Sequence, residues 1–374
     1  MNLLYISNTR FPSERAHATQ VVQMCQAFGD FGHTVTLAVT TRATIILDKW
    51  QEYYGVDPSF RLQRLYTPDT NRFHLGRFAF IFAIVLFAIS AFVTIKKNQS
   101  KYDVVYSRDE WVLYVLSFLM PRQHFVYESH EAKYTYPVRC ILKKKKIDMV
   151  VISEGVRDAY LSVGVQPEKM CVAHDGIDAS FFDALPSKND VRKKLSIPQE
   201  ATIAMYIGGF DAWKGVDVFF EAAQYIDDVD LYVIGGSLSQ VEVYQKKFPR
   251  VTFLGSRPYT ELAYNQQAAD VLVIPNTATN TLSSLYTSPL KLFAYMSSSV
   301  PVVASDVVSI TNVVGRKLVT LVQPDDPKSL AEGISKVVSD YEIKKQGAHS
   351  LALEAKKYTW SERAKIITKF IKHD

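Results

Sequence analysis

The chain has 374 residues, of which 48% are apolar and 22% are charged. This length suggests about two domains, each able to bury its own core, and the composition excludes a disordered or fibrous chain. Cys25, Cys140 and Cys171 lie far apart, without metal-site spacing or an even disulfide framework, which fits a reducing compartment.

The net charge of +5 is carried by the N-terminal half of the chain. Residues 1–175 contain 21 Lys and Arg against 16 Asp and Glu, whereas the remainder contains 22 of each. The basic residues include the cluster RCILKKKK (139–146). A basic face suggests an acidic or phosphorylated partner, or an anionic membrane surface. For any single run, a solvated charged face is an equally good explanation.

Short β-branched runs alternate with helix-length segments along the whole chain. No secretory signal is expected, because Met1 leads directly into the first of these runs. The first series is LLYIS, TVTLAV, DVVYS, FVYES and DMVVIS, and the second is TIAMYIGG, DLYVIGG, VTFLG, DVLVIP, VPVVAS and LVTLV. Such runs predict parallel sheets in doubly wound α/β domains.

The polar stretch DALPSKNDVRKKLSIPQE separates the two series and predicts a linker. The predicted fold class is therefore α/β, with two Rossmann-like doubly wound domains, 1–180 and 201–358, that face each other across a cleft. The linker covers 181–200, and a C-terminal helix over 359–374 crosses back to the N-terminal domain. Ligands of such sheets bind at the carboxyl ends of the strands.

Residues 78–95, FAFIFAIVLFAISAFVTI, are uncharged and are flanked by basic residues. About 20 apolar residues can span a bilayer. However, KYDVVYSR follows at once as the next strand of the same parallel sheet, and a membrane cannot divide that sheet. A core helix and a helix at the membrane interface, between head groups and lipid tails, are the stronger interpretations, and both stay open here.

The segment YIGGFDAWKGVD (206–217) predicts a strand, a paired-glycine turn and a helix start. Gly208 and Gly209 let a ligand approach the backbone, and Lys214 adds a positive charge suited to phosphate. Neither the dinucleotide fingerprint nor the Walker lysine motif is present. Taken alone, the pattern fits a tight turn with a surface lysine equally well.

The segment SPLKLFAYM (288–296) supplies a second candidate anion site. Ser288 is a good N-cap and Pro289 suits the first helical position, followed by Leu290. Lys291 then lies in the first turn, the unfavourable end of the helix dipole for a cation. A bound diphosphate resolves this conflict, whereas a solvated Lys291 is the alternative. The next position of the helix that is expected to be exposed is occupied by Ala294, which has no polar group.

These residues and several further motifs resemble bacterial glycosyltransferases of the GT-B fold, most closely the nucleotide-sugar-dependent family 4 group. The matching segments run in order along nearly the whole chain. They are FPSERAHATQVVQMCQAF, GHTVTL, YDVVYSR, HDGID, YIGG…WKGVD, FLG…Y…ADVLVIPN, SPLKLFAYM…PVVASD, LVQPDDPKSLAEGI and YTW. They are specific for the fold and superfamily but not for the sugar.

The resemblance implies roles for residues of the second half of the chain. Lys214 matches the diphosphate lysine of the family, while the arginine that often precedes it is replaced by Gly209. The two family glutamates of the donor site fall at Tyr286 and Ala294, and Ala294 stands where relatives have a ribose-binding glutamate. The triplet Gly255-Ser256-Arg257 matches the loop beside the nucleobase.

The resemblance also implies roles for residues of the first half. His130 in VYESHEAKY matches a histidine that contacts the transferred sugar, and an ordinary polar loop residue is the alternative. The first loop offers Arg10, Arg15 and His17 to the donor phosphate or to an acceptor pyrophosphate, with solvated surface charges as the alternative. Arg108 and Glu128 are expected to support the same acceptor side.

The expected activity is a retaining, metal-independent glycosyl transfer in which His130, Lys214 and Lys291 act catalytically. Cationic groups aimed at the leaving diphosphate stabilise the transition state, so no cofactor is expected. The one D-x-D, DVD at 228–230, is interpreted as a turn. We expect a lipid-linked or polysaccharide acceptor in cell-surface glycan synthesis, and no nucleic acid. We also expect peripheral attachment to the cytoplasmic face of the plasma membrane through helix 78–95 and the basic N-terminal domain.

Two alternatives stay open from the sequence. Ala294 and Gly209 favour a degenerate GT-B protein that binds a nucleotide sugar without turnover. A GT-B-type nucleotide-sugar epimerase shares the fold, but it needs acid and base carboxylates, for which no convincing set is found.

Overall fold

The structure is a computed structural model that describes residues 1–13, 16–44, 46, 48–68, 76–97, 102–183, 185–288 and 290–372. The chain forms two compact units. The first unit consists of Met1–His174 and Trp360–Asp374, and the second consists of Asp175–Thr359.

The first unit is built on a seven-stranded sheet with the order β3-β2-β1-β4-β5-β6-β7, in which all neighbours are parallel. Its strands are β1 (Asn2–Ser7), β2 (Thr34–Thr40), β3 (Arg61–Leu65), β4 (Val104–Ser107), β5 (His124–Ser129), β6 (Ile147–Val151) and β7 (Met170–Val172). Its helices in this part of the chain are α1 (Ala16–Asp30), α2 (Trp50–Tyr54), α3 (Gly76–Lys97), α4 (Glu110–Leu119), α5 (Tyr136–Leu142) and α6 (Glu154–Ser162).

The second unit is built on a six-stranded parallel sheet with the order β10-β9-β8-β11-β12-β13. Its strands are β8 (Ile203–Ile207), β9 (Asp230–Ile234), β10 (Val251–Phe253), β11 (Val271–Ile274), β12 (Val302–Ser305) and β13 (Thr320–Val322). Its helices are α7 (Lys188–Lys194), α8 (Val216–Ala222), α9 (Leu238–Lys247), α10 (Leu262–Asn265), α11 (Leu290–Ser297), α12 (Val308–Val314), α13 (Pro327–Ser339) and α14 (Tyr341–Ala355). The last helix, α15 (Trp360–Lys372), is part of the first unit.

The predicted α/β class with two doubly wound parallel sheets is confirmed. The eleven predicted strand segments coincide with strands, and β3 and β7 are additional. Both additional strands lie at sheet edges. Strand β3, RLQRL, is interrupted by polar residues, and β7 has only three residues. The stretch 181–200 lies in the second unit and contains α7, whose Arg192 forms an ion pair with Asp270 at 2.8 Å.

The core of the second unit lies on both faces of its sheet, as the alternation along β8 shows. Ile203, Met205 and Ile207 point into one buried cluster, whereas Ala204 and Tyr206 point into the other. Helix α11 covers the first of these faces. This packing places the first turn of α11 beside the carboxyl end of β8.

Helix α3 contains the uncharged segment 78–95 and has two different faces. Ala83, Phe87 and Ala91 are buried, whereas Phe82 and Ile89 are 58% and 42% exposed. Among the helices that the structure describes, none combines the length and the apolar character needed to cross a membrane.

Candidate functional site

The turn after β8 is formed by Gly208 and Gly209 at the carboxyl edge of the second sheet. The backbone N–H of Gly208 donates to the carbonyl of Ile234 at 2.9 Å, which joins this turn to the end of β9. A Cβ atom on Gly235 would lie 2.0 Å from the Gly208 carbonyl oxygen, and Gly235 has a φ of +138°. Only glycine fits there, so the two turns lie in direct backbone contact.

Lys291, in the first turn of α11, reaches this glycine turn. Its Nζ lies 3.0 Å from the Tyr206 hydroxyl oxygen and 4.1 Å from the centroid of the Tyr206 ring. The Tyr206 hydroxyl in turn donates to the carbonyl of Gly209 at 2.7 Å. Burial, and then the positive charge of Lys214, hold the pKa of Lys291 well below its ordinary value, while Asp211 acts in the opposite direction. A bound anion would relieve this cost.

Lys214 approaches the same turn from the other side. Its Nζ lies 3.0 Å from the position that a Cβ atom on Gly209 would take, and the Lys291 Nζ lies 3.3 Å from the corresponding position on Gly208. Lys214 forms an ion pair with Asp211 at 2.6 Å. We call Gly208, Gly209, Lys214 and Lys291 the glycine-turn site. Its two ammonium groups and exposed backbone suit a phosphate or diphosphate.

The remaining donor-side residues have different positions. Gly255 has a φ of +74°, and its carbonyl accepts from the Gly235 N–H at 2.9 Å, so this loop adjoins the same turns. Ser256 and Arg257 follow it and are exposed. The Ser288 hydroxyl accepts from the backbone N–H of Asp175 at 2.8 Å. Leu290 begins α11, and Pro289 lies outside the described residues.

Ala294 is not the exposed slot that the sequence suggests. It is 0% exposed and belongs to the apolar cluster beneath α11, with Leu292, Phe293 and Tyr295. The expectation of an exposed position was wrong because α11 is buried nearly all round, so helical spacing cannot identify a solvent-facing side. The DVD segment, in contrast, lies at the amino end of β9, the sheet edge opposite the glycine-turn site.

The first unit contains a second polar cluster, centred on the fully buried carboxylate of Glu128. Gln20 Nε2 donates to its Oε1 at 2.8 Å, and Arg108 donates to Gln20 at 2.9 Å. Arg363, supplied by α15, lies 3.2 Å from Oε1. The carboxylate also accepts short hydrogen bonds from the His130 Nε2 and the Tyr106 hydroxyl. We call this set the Glu128 network.

Electrostatics keep Glu128 ionised and thereby orient His130. Burial alone would raise the pKa of Glu128, but the charge of Arg363, the hydrogen bond from His130, and the charges of His130 and Arg108 hold it well below its usual range. Because an ionised carboxylate only accepts hydrogen bonds, His130 Nε2 must carry a proton. The carboxylate therefore fixes the orientation of the His130 ring.

A pocket of about 340 Å³ lies beside this network in the first unit. It is lined by the strand-end residues Ser7, Asn8 and Thr9 and by His17, Arg108, Asp109, Glu110, Trp111 and Lys133. Burial, and then the charge of Glu110, raise the pKa of Asp109 to about 6. Arg10 is exposed, and Arg15 lies outside the described residues.

Several residues of these sites were not predicted from the sequence. The Tyr206 hydroxyl accepts a hydrogen bond from Lys291, and Asp211 forms an ion pair with Lys214. Arg363, 235 positions along the chain from Glu128, forms an ion pair with that carboxylate. A local signal existed for Tyr206 and Asp211, which both lie within YIGGFDAWKG. The Asp109-Glu110-Trp111 triplet begins two residues after the end of a predicted strand, so its position at a carboxyl edge was another available signal.

Known proteins resemble this chain in sequence and in fold. Residues 201–340 match the family described as Glycosyl transferases group 1. An uncharacterized glycosyltransferase of Methanocaldococcus jannaschii is 22% identical over 296 residues, which are 71% of this chain and 74% of that protein.

Two solved structures share the fold over the full length of the chain. Sucrose-phosphate synthase from Thermosynechococcus elongatus has a TM-score of 0.78 at 19% identity, covering 100% of this chain and 98% of that one. Anabaena HepE in complex with UDP-glucose has a TM-score of 0.75 at 16% identity, covering 100% of both chains. The family match includes every residue of the glycine-turn site.

Proposed function

We propose that this chain, a glycosyltransferase with the GT-B fold, transfers a sugar from a nucleoside-diphosphate donor to a lipid-linked or polysaccharide acceptor, with retention of anomeric configuration. The resemblance to GT-B glycosyltransferases, inferred above from motifs, is confirmed by these matches. The proposed donor binding rests on the close approach of Lys214 to Gly209 and of Lys291 to Gly208. The UDP-glucose bound to Anabaena HepE supports a nucleotide sugar as the donor.

In the proposed reaction, negative charge grows on the diphosphate as the glycosidic bond breaks. Lys214 and Lys291 are held in place before the reaction, so they stabilise this charge without reorganising. The two nearby cations stabilise the departing diphosphate, which carries one more negative charge than the bound donor, more than they stabilise the donor itself. This difference lowers the barrier rather than only tightening binding. We propose that these cations suffice, without a metal ion.

On the acceptor side, we propose that His130 binds a hydroxyl of the transferred sugar. The Glu128 network supports this role because it fixes the ring through Nε2. The pocket beside it combines donors and acceptors, namely Arg108 and Lys133 with Asp109 and Glu110, around Trp111. Mixed polar groups around an aromatic ring suit the hydroxyls and flat face of a sugar acceptor. The leaving phosphate would take up the acceptor proton.

The decisive experiment removes one ammonium group from the glycine-turn site. Release of nucleoside diphosphate from UDP-, GDP-, ADP- and dTDP-sugars is measured for the wild type, Lys291→Met and Lys214→Met. For the donor that the wild type uses, we expect each variant to lose about 100- to 1,000-fold in kcat, the scale of one lost electrostatic contact in a transition state.

Lys194→Met is the matched control, because the Lys194 Nζ also lies over a tyrosine ring, that of Tyr264, at 4.5 Å. Retained turnover in the lysine variants would overturn the proposed site. Nucleotide-sugar binding by the wild type without release of diphosphate would instead identify a degenerate binding protein. Conversion of the donor to its epimer would identify an epimerase.

We further propose that the enzyme works in the cytoplasm, attached peripherally to the plasma membrane, in cell-surface glycan synthesis. The C-terminal ends of α3, α4 and α5 lie at the same edge of the first sheet, because each helix leads into the amino end of a parallel strand. Phe118 is 59% exposed there, and the Lys144 Nζ lies 3.6 Å above its ring. Exposed apolar groups beside clustered lysines favour an anionic lipid surface.

Co-sedimentation with vesicles tests this attachment. We expect the wild type to bind vesicles that contain phosphatidylglycerol more strongly than pure phosphatidylcholine. Phe118→Asp and Ile89→Asp should each reduce this binding several-fold, since they place a charge on the proposed contact surface. Leu353→Asp, at a 66% exposed position of the second unit, is the control. Equal loss in the control, or no loss in the test variants, would contradict the proposed surface.

A further inference from the structure

We propose that Asp211 is a built-in counter-ion of the glycine-turn site, which competes with the diphosphate for Lys214 and thereby speeds release of the nucleoside-diphosphate product. The inference rests on the proposed function, because it assumes that a diphosphate binds at this turn. It assigns a role to a carboxylate that neither the motif resemblance nor the proposed reaction uses.

Asp211 occupies the region where the two lysines approach the glycine turn. Its Oδ2 lies 2.6 Å from the Lys214 Nζ. The same oxygen lies 3.2 Å from the position that a Cβ atom on Gly209 would take, while the Lys214 Nζ lies 3.0 Å from that position. The carboxylate therefore stands over the backbone of the turn, on the side from which Lys214 approaches.

The surroundings of Asp211 allow its carboxylate to move away from Lys214 into solvent. The side chain is 58% exposed, and although Asp211 precedes a helical turn, it makes no side-chain capping hydrogen bond. The hydrogen bond and charge of Lys214, together with the charge of Lys291, lower the pKa of Asp211 despite its partial burial. Asp211 is thus an ionised group that is held by the lysines and faces solvent.

Competition follows from charge. A diphosphate and the Asp211 carboxylate are both anions, and close approach of like charges is unfavourable. Binding of the donor must therefore break the Asp211–Lys214 pair and displace the carboxylate toward solvent. After transfer, once the proton taken from the acceptor has passed to solvent, the nucleoside diphosphate carries more negative charge than the donor did and would be held more tightly. Return of Asp211 to Lys214 counteracts that tighter binding.

The test compares Asp211→Asn with a matched control. Asp227→Asn removes a carboxylate that lies 2.6 Å from Arg250, at the opposite edge of the same sheet, in a more exposed ion pair. UDP, GDP, ADP, pyrophosphate and the uncharged nucleosides are titrated into the wild type and both variants by calorimetry. Each titration is run with EDTA and again with Mg²⁺, and release of the bound diphosphate is followed by stopped flow.

We expect Asp211→Asn to bind the preferred nucleoside diphosphate roughly three- to tenfold more tightly and to release it more slowly by a similar factor, on the scale of a lost exposed ion pair plus relieved repulsion. Binding of the matching nucleoside should not change, and Asp227→Asn should resemble the wild type. A merely structural role for Asp211 would alter nucleoside and diphosphate binding together.

Two results would overturn the inference. Unchanged or weaker diphosphate binding by Asp211→Asn in EDTA excludes competition, and weaker binding only with Mg²⁺ would make Asp211 a metal ligand instead. These outcomes leave the proposed function intact, provided that the wild type binds a diphosphate and Lys291→Met does not. If the wild type binds none of the diphosphates, both the function and the inference fail.

Discussion

The Glu128 network and the glycine-turn site differ in how their charges are balanced. In the first unit, a buried anion is surrounded by donors from β4, α1 and α15 and by His130, which follows β5, so its charge and hydrogen-bonding capacity are met by the protein itself. In the second unit, two cations share one exposed carboxylate, and Lys291 rests against a phenol rather than an acid. The Glu128 carboxylate is satisfied by the protein, whereas the turn retains an excess positive charge.

This difference separates residues that set stability from residues that set binding. Removing a member of the Glu128 network should destabilise the first unit, because a buried charge loses its partner. Removing a lysine from the glycine-turn site should lower donor binding and turnover. It should have little effect on folding, because it relieves repulsion between like charges. The following predictions test that division, beginning with the largest expected effect.

Arg363→Met should cost about 3–5 kcal/mol in the free energy of unfolding, the scale of breaking a buried ion pair by removing one partner. Denaturation in urea measures this value. Arg250→Met is the control, because its ion pair with Asp227 is 48% and 89% exposed and should contribute at most about 1 kcal/mol. Equal losses in the two variants would show that the Glu128 network is not a special source of stability.

The effect of Arg363→Met on the free energy of unfolding should also depend on pH. Because the pKa of Glu128 is depressed in the folded state, its ionised form stabilises the fold above the unfolded pKa and loses this effect as the pH falls through the folded value. The stability difference between wild type and Arg363→Met should therefore be full near neutral pH and shrink in acid. A difference that stays constant from neutral to acidic pH would contradict this assignment.

Ala294→Glu should destabilise the second unit by roughly 2–4 kcal/mol, because it forces a carboxyl group and extra volume into a closed apolar cluster. Thermal unfolding checks this expectation, with Ala179→Glu at an exposed position as the control. A stable variant that binds the donor more tightly would instead support the interpretation of Ala294 as a missing ribose contact.

Ala294 also marks the limit of what the sequence predicts. Eleven strands were predictable because the strands of parallel sheets that are covered on both faces are largely apolar. The glycine turn and both lysines were predictable because a strand, a turn and a helix start follow one another locally. The burial of Ala294 and the pairing of Glu128 with Arg363 depend on which helices cover which face, and such long-range packing leaves no local pattern.

Asp109→Asn should stabilise the first unit at pH 7.5 by roughly 1–3 kcal/mol, following the raised pKa of about 6 of this carboxyl group. A carboxyl whose folded pKa is raised costs stability as the pH rises from its unfolded pKa through the folded value. The gain from Asn should therefore be full above pH 6 and vanish below about pH 4. Asp158→Asn, at a 61% exposed carboxylate, should change nothing. A gain independent of pH would exclude titration of Asp109 as its cause.

Gly208→Ala should have the smallest effect, and one confined to the donor site. The added Cβ would lie 3.0 Å from the Tyr206 hydroxyl and 3.2 Å from Lys291 Cδ, so Lys291 must shift by a few tenths of an ångström. We expect the KM for the donor to rise about three- to tenfold, or about 0.7–1.4 kcal/mol, with an unchanged melting temperature. In Gly347→Ala, the control, the new Cβ meets no atom within 4 Å, so the donor KM should not change. If Gly208→Ala lowers stability but not donor binding, the glycine-turn site is a structural element like the Glu128 network, and the division between the two regions does not hold.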